Sequence, residues 1–240
     1  MRIPLWLEMN GRRVLVVGGG SVGTRRALMF RRAGAEVRVV AKWFSGKLAE
    51  EAERDEGIRL VEADAGNMEA LEPHIEWADI VVIATDNEEV NRKAWSLAKK
   101  HRKWVNDATN AERTEVVVPY AGEVFDGGLR VAVTSEGKTG VAARNALKRI
   151  IKCLEEDNAL KTLYEAMKRL KPVLKKHVAT AKQRIPIYYE VEEQIHPLIE
   201  QGKPLDQVLE AIAAYLEKRL AQLGAKTSRE QLLQELRQSQ

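Results

Sequence analysis

The 240-residue sequence contains one cysteine, Cys153, which excludes an internal disulfide and any cysteine-based metal cluster. Its neighbours, "RIIKCLEE", place it on a helix, where an inert packing thiol is expected. Aromatic residues make up only 5% of the chain. In the most basic stretch the one aromatic is Tyr164, so the interleaved stacking platforms of a nucleic-acid binder are missing. No apolar run reaches the roughly 18 residues that would suggest a membrane span. The start, "MRIPLWLEMNGRRVL", has neither the apolar centre nor the cleavage site of a secretion signal, and a cytoplasmic protein is expected. The four histidines, His74, His101, His177 and His196, fall in no metal-ligand spacing, and no bound metal is expected.

What is present describes a folded chain: 45% hydrophobic and 31% charged residues suffice for a core in one large domain or two smaller ones. The net charge of +4 is mild. It is unevenly spread, because eight basic residues face one acid, Glu165, between Lys161 and Arg184. Such a stretch suits an anionic partner, although a solvated helix face accounts for most of those charges.

Five short apolar runs occupy residues 13–18, 36–41, 58–63, 79–85 and 103–107. They are continuous and rich in Val and Ile, the pattern of strands buried on both faces. Helical segments at 21–33, 45–56 and 88–101 lie between them, which makes a βαβ series and a parallel sheet. After residue 112 the pattern changes. "TEVVVPYAGEVFDGGLRVAVTSEG" reads as two longer strands joined at Asp126-Gly127-Gly128, a hairpin. From Thr139 the sequence is helical, with Leu160, Leu163, Tyr164, Met167, Leu170 and Leu174 at helical spacing and further segments from Tyr188 and Leu205. Pro172, Pro186, Pro197 and Pro204 punctuate it.

"VLVVGGGSVGTRR" supplies the first chemical signal. Gly18, Gly20 and Gly23 form G-x-G-x-x-G between a strand and a helix. The first glycine permits the tight turn, the second lets a pyrophosphate approach, and the third lets helix and strand pack closely. N–H groups at the helix start, from Ser21 and Val22, would hold the phosphates. The acid that ordinarily binds the adenosine ribose at the end of the second strand is absent, since that strand ends Val40-Ala41-Lys42. Lys42 could bind the 2′-phosphate of NADP or stand as a solvated loop lysine. In "VIATDNEEVNRKA", Thr85, Asp86 and Asn91 fall at the carboxyl end of the fourth strand, on the expected nicotinamide side, where Asp86 or Asn87 would also cap the next helix.

Taken together, "PLWLEMNGRRVLVVGGGSVGTRRA", "VIATDNEEVNRKA", "VNDATN" and "LRVAVTSEGKTGVAAR" resemble, in order and spacing, the siroheme synthase N-terminal region family, the precorrin-2 dehydrogenases with or without sirohydrochlorin ferrochelatase activity. The resemblance covers roughly residues 1–150. It implies an α/β NAD-binding Rossmann domain with a parallel sheet over 1–112, a small β-hairpin dimerisation region over 113–150 and a C-terminal helical region over 151–240. The implied reaction oxidises precorrin-2 to sirohydrochlorin, with NAD⁺ taking a hydride while a proton is lost. Asp107 falls on the family's catalytic aspartate, at a strand end expected to point it into the crevice. "VNDATN" is one residue shorter there than the usual motif. Ser135 matches a serine at the site's edge, with Thr139 also readable as a helix cap. Arg25, Lys138 and Arg144 are candidates for the substrate's carboxylates. The resemblance further implies a homodimer and raises Fe²⁺ insertion. It favours NAD over NADP, and with it the bland reading of Lys42. The rival reading from another class is an NAD(P)-binding sensor that regulates a partner.

Overall fold

The structure is a computed structural model and describes residues 2–239. Its contacts divide it into two compact units: residues up to 120 with 133–143, and residues 121–132 with 144 onward.

In the first unit five strands, β1 (Arg13–Val17), β2 (Glu36–Ala41), β3 (Ile58–Glu62), β4 (Ile80–Ile83) and β5 (Trp104–Asp107), form a sheet in the order β3-β2-β1-β4-β5. All pairings are parallel, with Val14 opposite Val37 and Ile80, and Val17 opposite Val40 and Ile83. The reason lies in β1, where Val14, Leu15, Val16 and Val17 are all fully buried. Val14 and Val16 pack into the layer holding Ala27, Leu28 and Phe30 of α1 (Ser21–Arg32). Leu15 and Val17 pack into the opposite layer with Leu71 and Ile75 of α3 (Met68–Trp77) and Ala94 and Ala98 of α4 (Glu88–Lys100). Alternate residues of one strand thus serve two cores, which is why the runs are continuously apolar. The remaining helix, α2 (Gly46–Arg54), is capped by Ser45, which accepts from Leu48 N–H. The strand order reverses between β1 and β4, so the crevice for a ligand opens at their carboxyl ends.

Two elements depart from the sequence pattern. The α3 helix lies outside the helical segments expected from the sequence; it forms with Pro73 inside it, Asn67 capping Ala70 N–H and Leu71 and Ile75 buried. The first hairpin strand is shorter than expected: β6 begins only at Tyr120 and ends at Val124, pairing with β7 (Leu129–Val133). Before it, Glu115 and Val116 both donate their N–H groups to Val105 O, so this run borders β5 instead of lengthening the hairpin.

The second unit is helical. It contains α6 (Asn158–His177), α7 (Ala181–Glu200), α8 (Leu205–Gln222) and α9 (Arg229–Gln238), with most of α5 (Gly140–Glu156) and of the hairpin. Leu170, Leu174, Ile187, Ile195, Leu209, Ile212 and Leu216 form its buried core, closed by Leu232 and Leu236. Pro172, Pro186 and Pro197 lie inside helices instead of ending them, and α7 begins at Ala181, seven residues before Tyr188. Tyr164 of α6 stacks on Phe125 with ring centroids 5.4 Å apart. Its hydroxyl lies where a Cβ on Gly128 would be, so the hairpin turn is fitted to α6. Cys153 is exposed on α5, which corrects the expectation of a packing thiol. No helix of the described residues is long and apolar enough to cross a membrane.

Candidate functional site

A cleft of about 430 Å³ opens at the carboxyl ends of the strands in the first unit. Of the residues anticipated for a cofactor, Gly18, Gly20, Ser21, Val22, Ala41, Lys42, Thr85 and Asp86 line it. Gly18 takes φ +117°, and a Cβ there would lie 2.5 Å from Ala84 O, so no larger residue fits the turn. Gly23 does not line the cleft: its Cα faces Gly18 O, where a Cβ would come within 2.0 Å, and it serves the packing of α1 on β1.

Gly20 is the N-cap of α1 and brings no side-chain acceptor for the helix's first N–H groups. A Cβ there would meet only the Trp43 ring, at 3.7 Å. The start of α1 is therefore uncapped and open toward the cleft, with the helix dipole's positive end behind it, which fits a pyrophosphate.

At the β2 side, Lys42 Nζ lies 2.9 Å from Asp64 Oδ2. Lys42 is thus ion-paired, although the sequence left it either free in a loop or free for a phosphate. Asp64 follows β3, and its Oδ1 accepts from Gly66 N–H at 2.8 Å. The Lys42 ammonium and that N–H hold its carboxyl below the usual range. Trp43, Asp64 and Thr109 also line the cleft, and the sequence reading named none of them as site residues.

At the β4 side a chain of hydrogen bonds links three elements. Thr85 Oγ1 donates to Asn91 Oδ1 at 2.5 Å, and Asn91 Nδ2 donates to Thr85 O and to Thr109 Oγ1. Thr109 Oγ1 in turn donates to Asp107 Oδ1 at 2.6 Å. Asn91 is buried and supports the cleft without lining it. Asn87 is the cap of α4, accepting from Glu89 and Val90 N–H, which leaves Asp86 exposed at the cleft.

Asp107 does not point into the crevice, contrary to expectation. Its side chain is fully buried, and Oδ1 also accepts from Thr109 N–H and Asn110 N–H while Oδ2 accepts from Arg113 Nε. The physical reason is the turn that follows β5: its N–H groups point back at the strand end and capture the carboxylate. Arg113 also donates to Glu88, which keeps the Glu88 carboxyl below its usual range and raises the guanidinium further.

Arg25, Ser135, Lys138 and Arg144 are not among the cleft-lining residues. Arg25, Lys138 and Arg144 are exposed. Ser135 Oγ accepts from Thr139 N–H, and Thr139 Oγ1 accepts from Ala142 N–H, so Thr139 caps α5. Among the described residues, one group with metal-ligating atoms comes together, Glu72, Glu76 and His101; Lys100 Nζ already occupies Glu72 at 2.9 Å.

Residues 5–120 match a family model described as "Putative NAD(P)-binding". A Methanocaldococcus jannaschii protein named "Putative precorrin-2 dehydrogenase" is 27% identical across 83% of this chain and 97% of its own length. The precorrin-2 dehydrogenase of Methanosarcina barkeri is 28% identical across 80% of this chain and 83% of its own. A siroheme synthase of Neisseria meningitidis is 32% identical over 61% of this chain, which spans only 29% of that longer protein. Among solved structures, one titled "SirC, precorrin-2 dehydrogenase" shares the fold at TM-score 0.64 and 22% identity, over 89% of this chain and 100% of that one. The chain thus carries a match to an NAD(P)-binding family model at residues 5–120 and is similar over most of its length to proteins named precorrin-2 dehydrogenase, and over part of it to siroheme synthases.

Proposed function

We propose that the chain is an NAD-dependent dehydrogenase that oxidises precorrin-2 to sirohydrochlorin. The observation that carries this reading is the uncapped start of α1 facing a cleft at the strand-order reversal, in a chain whose relatives over most of its length bear that name. NAD⁺, when bound, supplies the hydride acceptor. Gly20, Ser21 and Val22 would take its pyrophosphate on their N–H groups; Ala41, Lys42 and Asp64 would face the adenosine end, and Thr85 and Thr109 the nicotinamide end.

Asp107 is proposed as a positioning residue. Its carboxylate fixes the turn that presents Thr109 to the cleft, and Thr109 Oγ1 spends its hydrogen on Asp107. The hydroxyl can then offer only a lone pair to a ligand N–H. Arg25, Lys138 and Arg144 are proposed for the carboxylates of a substrate that carries eight of them, with Ser135 at the site's edge. The proposal includes a homodimer, for which Ile3, Leu5 and Trp6 offer exposed apolar surface, and a cytoplasmic location. Fe²⁺ is proposed as a second substrate, inserted into the product.

The test is anaerobic incubation with precorrin-2 and NAD⁺, following NADH and the sirohydrochlorin spectrum, with Fe²⁺ added afterwards. Stoichiometric NADH is expected. Binding of NAD⁺ without oxidation would replace the enzyme reading with that of a sensor.

A further inference from the structure

Resting on the reading of the cleft as a dinucleotide site, we propose that Asp64 selects NAD over NADP, taking from the end of β3 the part that an acid at the end of β2 ordinarily plays. In a dinucleotide-binding sheet the end of β2 faces the adenosine ribose, where an acid binds the 2′-hydroxyl of NAD and a cation accepts the 2′-phosphate of NADP. This chain places a cation there, Lys42, which alone would favour the phosphate. The fold withdraws it. Lys42 Nζ is held 2.9 Å from Asp64 Oδ2, and both residues line the cleft.

Asp64 is itself anchored. One carboxylate oxygen accepts from Gly66 N–H and the other meets the ammonium. The strands make this pairing possible: Ala41 is opposite Glu62, and Ala63 donates its N–H to Ala41 O, so the residues that follow leave the sheet side by side. The pair is neutral as a unit. A 2′-phosphate, with its charge of nearly two at neutral pH, would have to displace Asp64 from Lys42 and then sit beside the carboxylate it displaced. A 2′-hydroxyl needs no such displacement, and Asp64 Oδ2 can accept from it. The missing acid of the second strand is thus supplied across one strand spacing.

The test is binding, not turnover. Kd values for NADH and NADPH are measured by fluorescence titration for the unmodified protein, Asp64→Asn, Lys42→Ala and the double variant. Asparagine can still accept from Gly66 N–H, and both positions are exposed, so folding is unaffected. The unmodified protein is expected to prefer NADH. Asp64→Asn frees Lys42 and should shift the ratio toward NADPH by about tenfold, an effect that shrinks as salt is raised. Lys42→Ala should widen the preference for NADH, and the double variant should fall between the single ones. A preference for NADPH in the unmodified protein, or a ratio unmoved by Asp64→Asn, overturns the proposal. Failure of either dinucleotide to bind any of the four proteins overturns the dinucleotide reading as well.

Discussion

Arg113 joins two carboxylates from different elements: its Nε lies 2.8 Å from Asp107 Oδ2, and its Nη1 lies 2.6 Å from Glu88 Oε1. Asp107 closes β5 and Glu88 opens α4, so one guanidinium ties the strand end to the helix start beside the cleft. The Asp107 side chain is fully buried and that of Arg113 nearly so, which makes this pair sensitive to the loss of either partner.

Removing the carboxylate should therefore cost stability as well as turnover. Asp107→Ala removes the Nε partner of a guanidinium that Glu88 still holds and frees the turn, a loss of about 1–3 kcal/mol in denaturant midpoint experiments. Asp107→Asn keeps an acceptor for Thr109 and Asn110 and should cost less. For a positioning residue, Asp107→Asn should retain kcat within about tenfold while KM for NAD⁺ rises. A fall in kcat beyond about a thousandfold in a folded Asp107→Asn protein would instead make the carboxylate a direct proton acceptor.

The glycines of the loop separate folding from binding. Gly18→Ala forces a Cβ to 2.5 Å from Ala84 O at φ +117° and should destabilise the first unit by at least about 1–3 kcal/mol. The Cβ of Gly20→Val would meet only the Trp43 ring, and this variant should leave the thermal midpoint nearly unchanged. It should nonetheless abolish dinucleotide binding, because its side chain enters the space before the uncapped N–H groups. Calorimetry and NADH titration of the two variants read this contrast directly.

In the helical unit, burial pushes the Glu235 carboxyl up, but bonds from Lys176, His177 and Gln231 outweigh it and bring it down to about 2. A carboxyl depressed on folding contributes stability above its unfolded pKa, 4.5 by reference, and loses it as pH falls through the folded value. The thermal midpoint should therefore drop progressively between about pH 5 and pH 2. Glu235→Gln should be less stable at neutral pH and should flatten that slope. An unchanged slope in the variant would assign the acid sensitivity elsewhere.

Packing in the same unit makes a plainer prediction. Leu216 is fully buried among α6, α7 and α8, and Leu216→Ala should cost about 2–5 kcal/mol in urea unfolding. Gly128→Ala should also destabilise the unit, because its Cβ would fall 1.9 Å from the Tyr164 hydroxyl, and Tyr164→Ala should restore much of the loss.

Much of the fold was legible from local pattern. The five runs from "RVLVVG" to "KWVND" became the five parallel strands; in the central β1 and β4 nearly every residue is buried, which is why those runs are apolar throughout. Asn87, Thr139 and the glycine loop were readable for the same reason: a cap or a tight turn needs particular side chains within three or four residues. The misses came where packing overrides local preference. Pro172, Pro186 and Pro197 read as punctuation, yet each lies in a helix whose buried face outweighs one lost backbone bond.

Periodicity and the spacing of three glycines determined that this protein would build a parallel sheet with a phosphate-ready helix start, since both depend on neighbours in the chain. Only the tertiary structure decided what surrounds that start. Lys42 meets Asp64 because β2 and β3 lie in register, and Asp107 turns inward because Arg113 and the turn's N–H groups outcompete the cleft for its carboxylate. A charge takes its partner from whatever the fold brings within about 4 Å, and no spacing along the sequence records that distance.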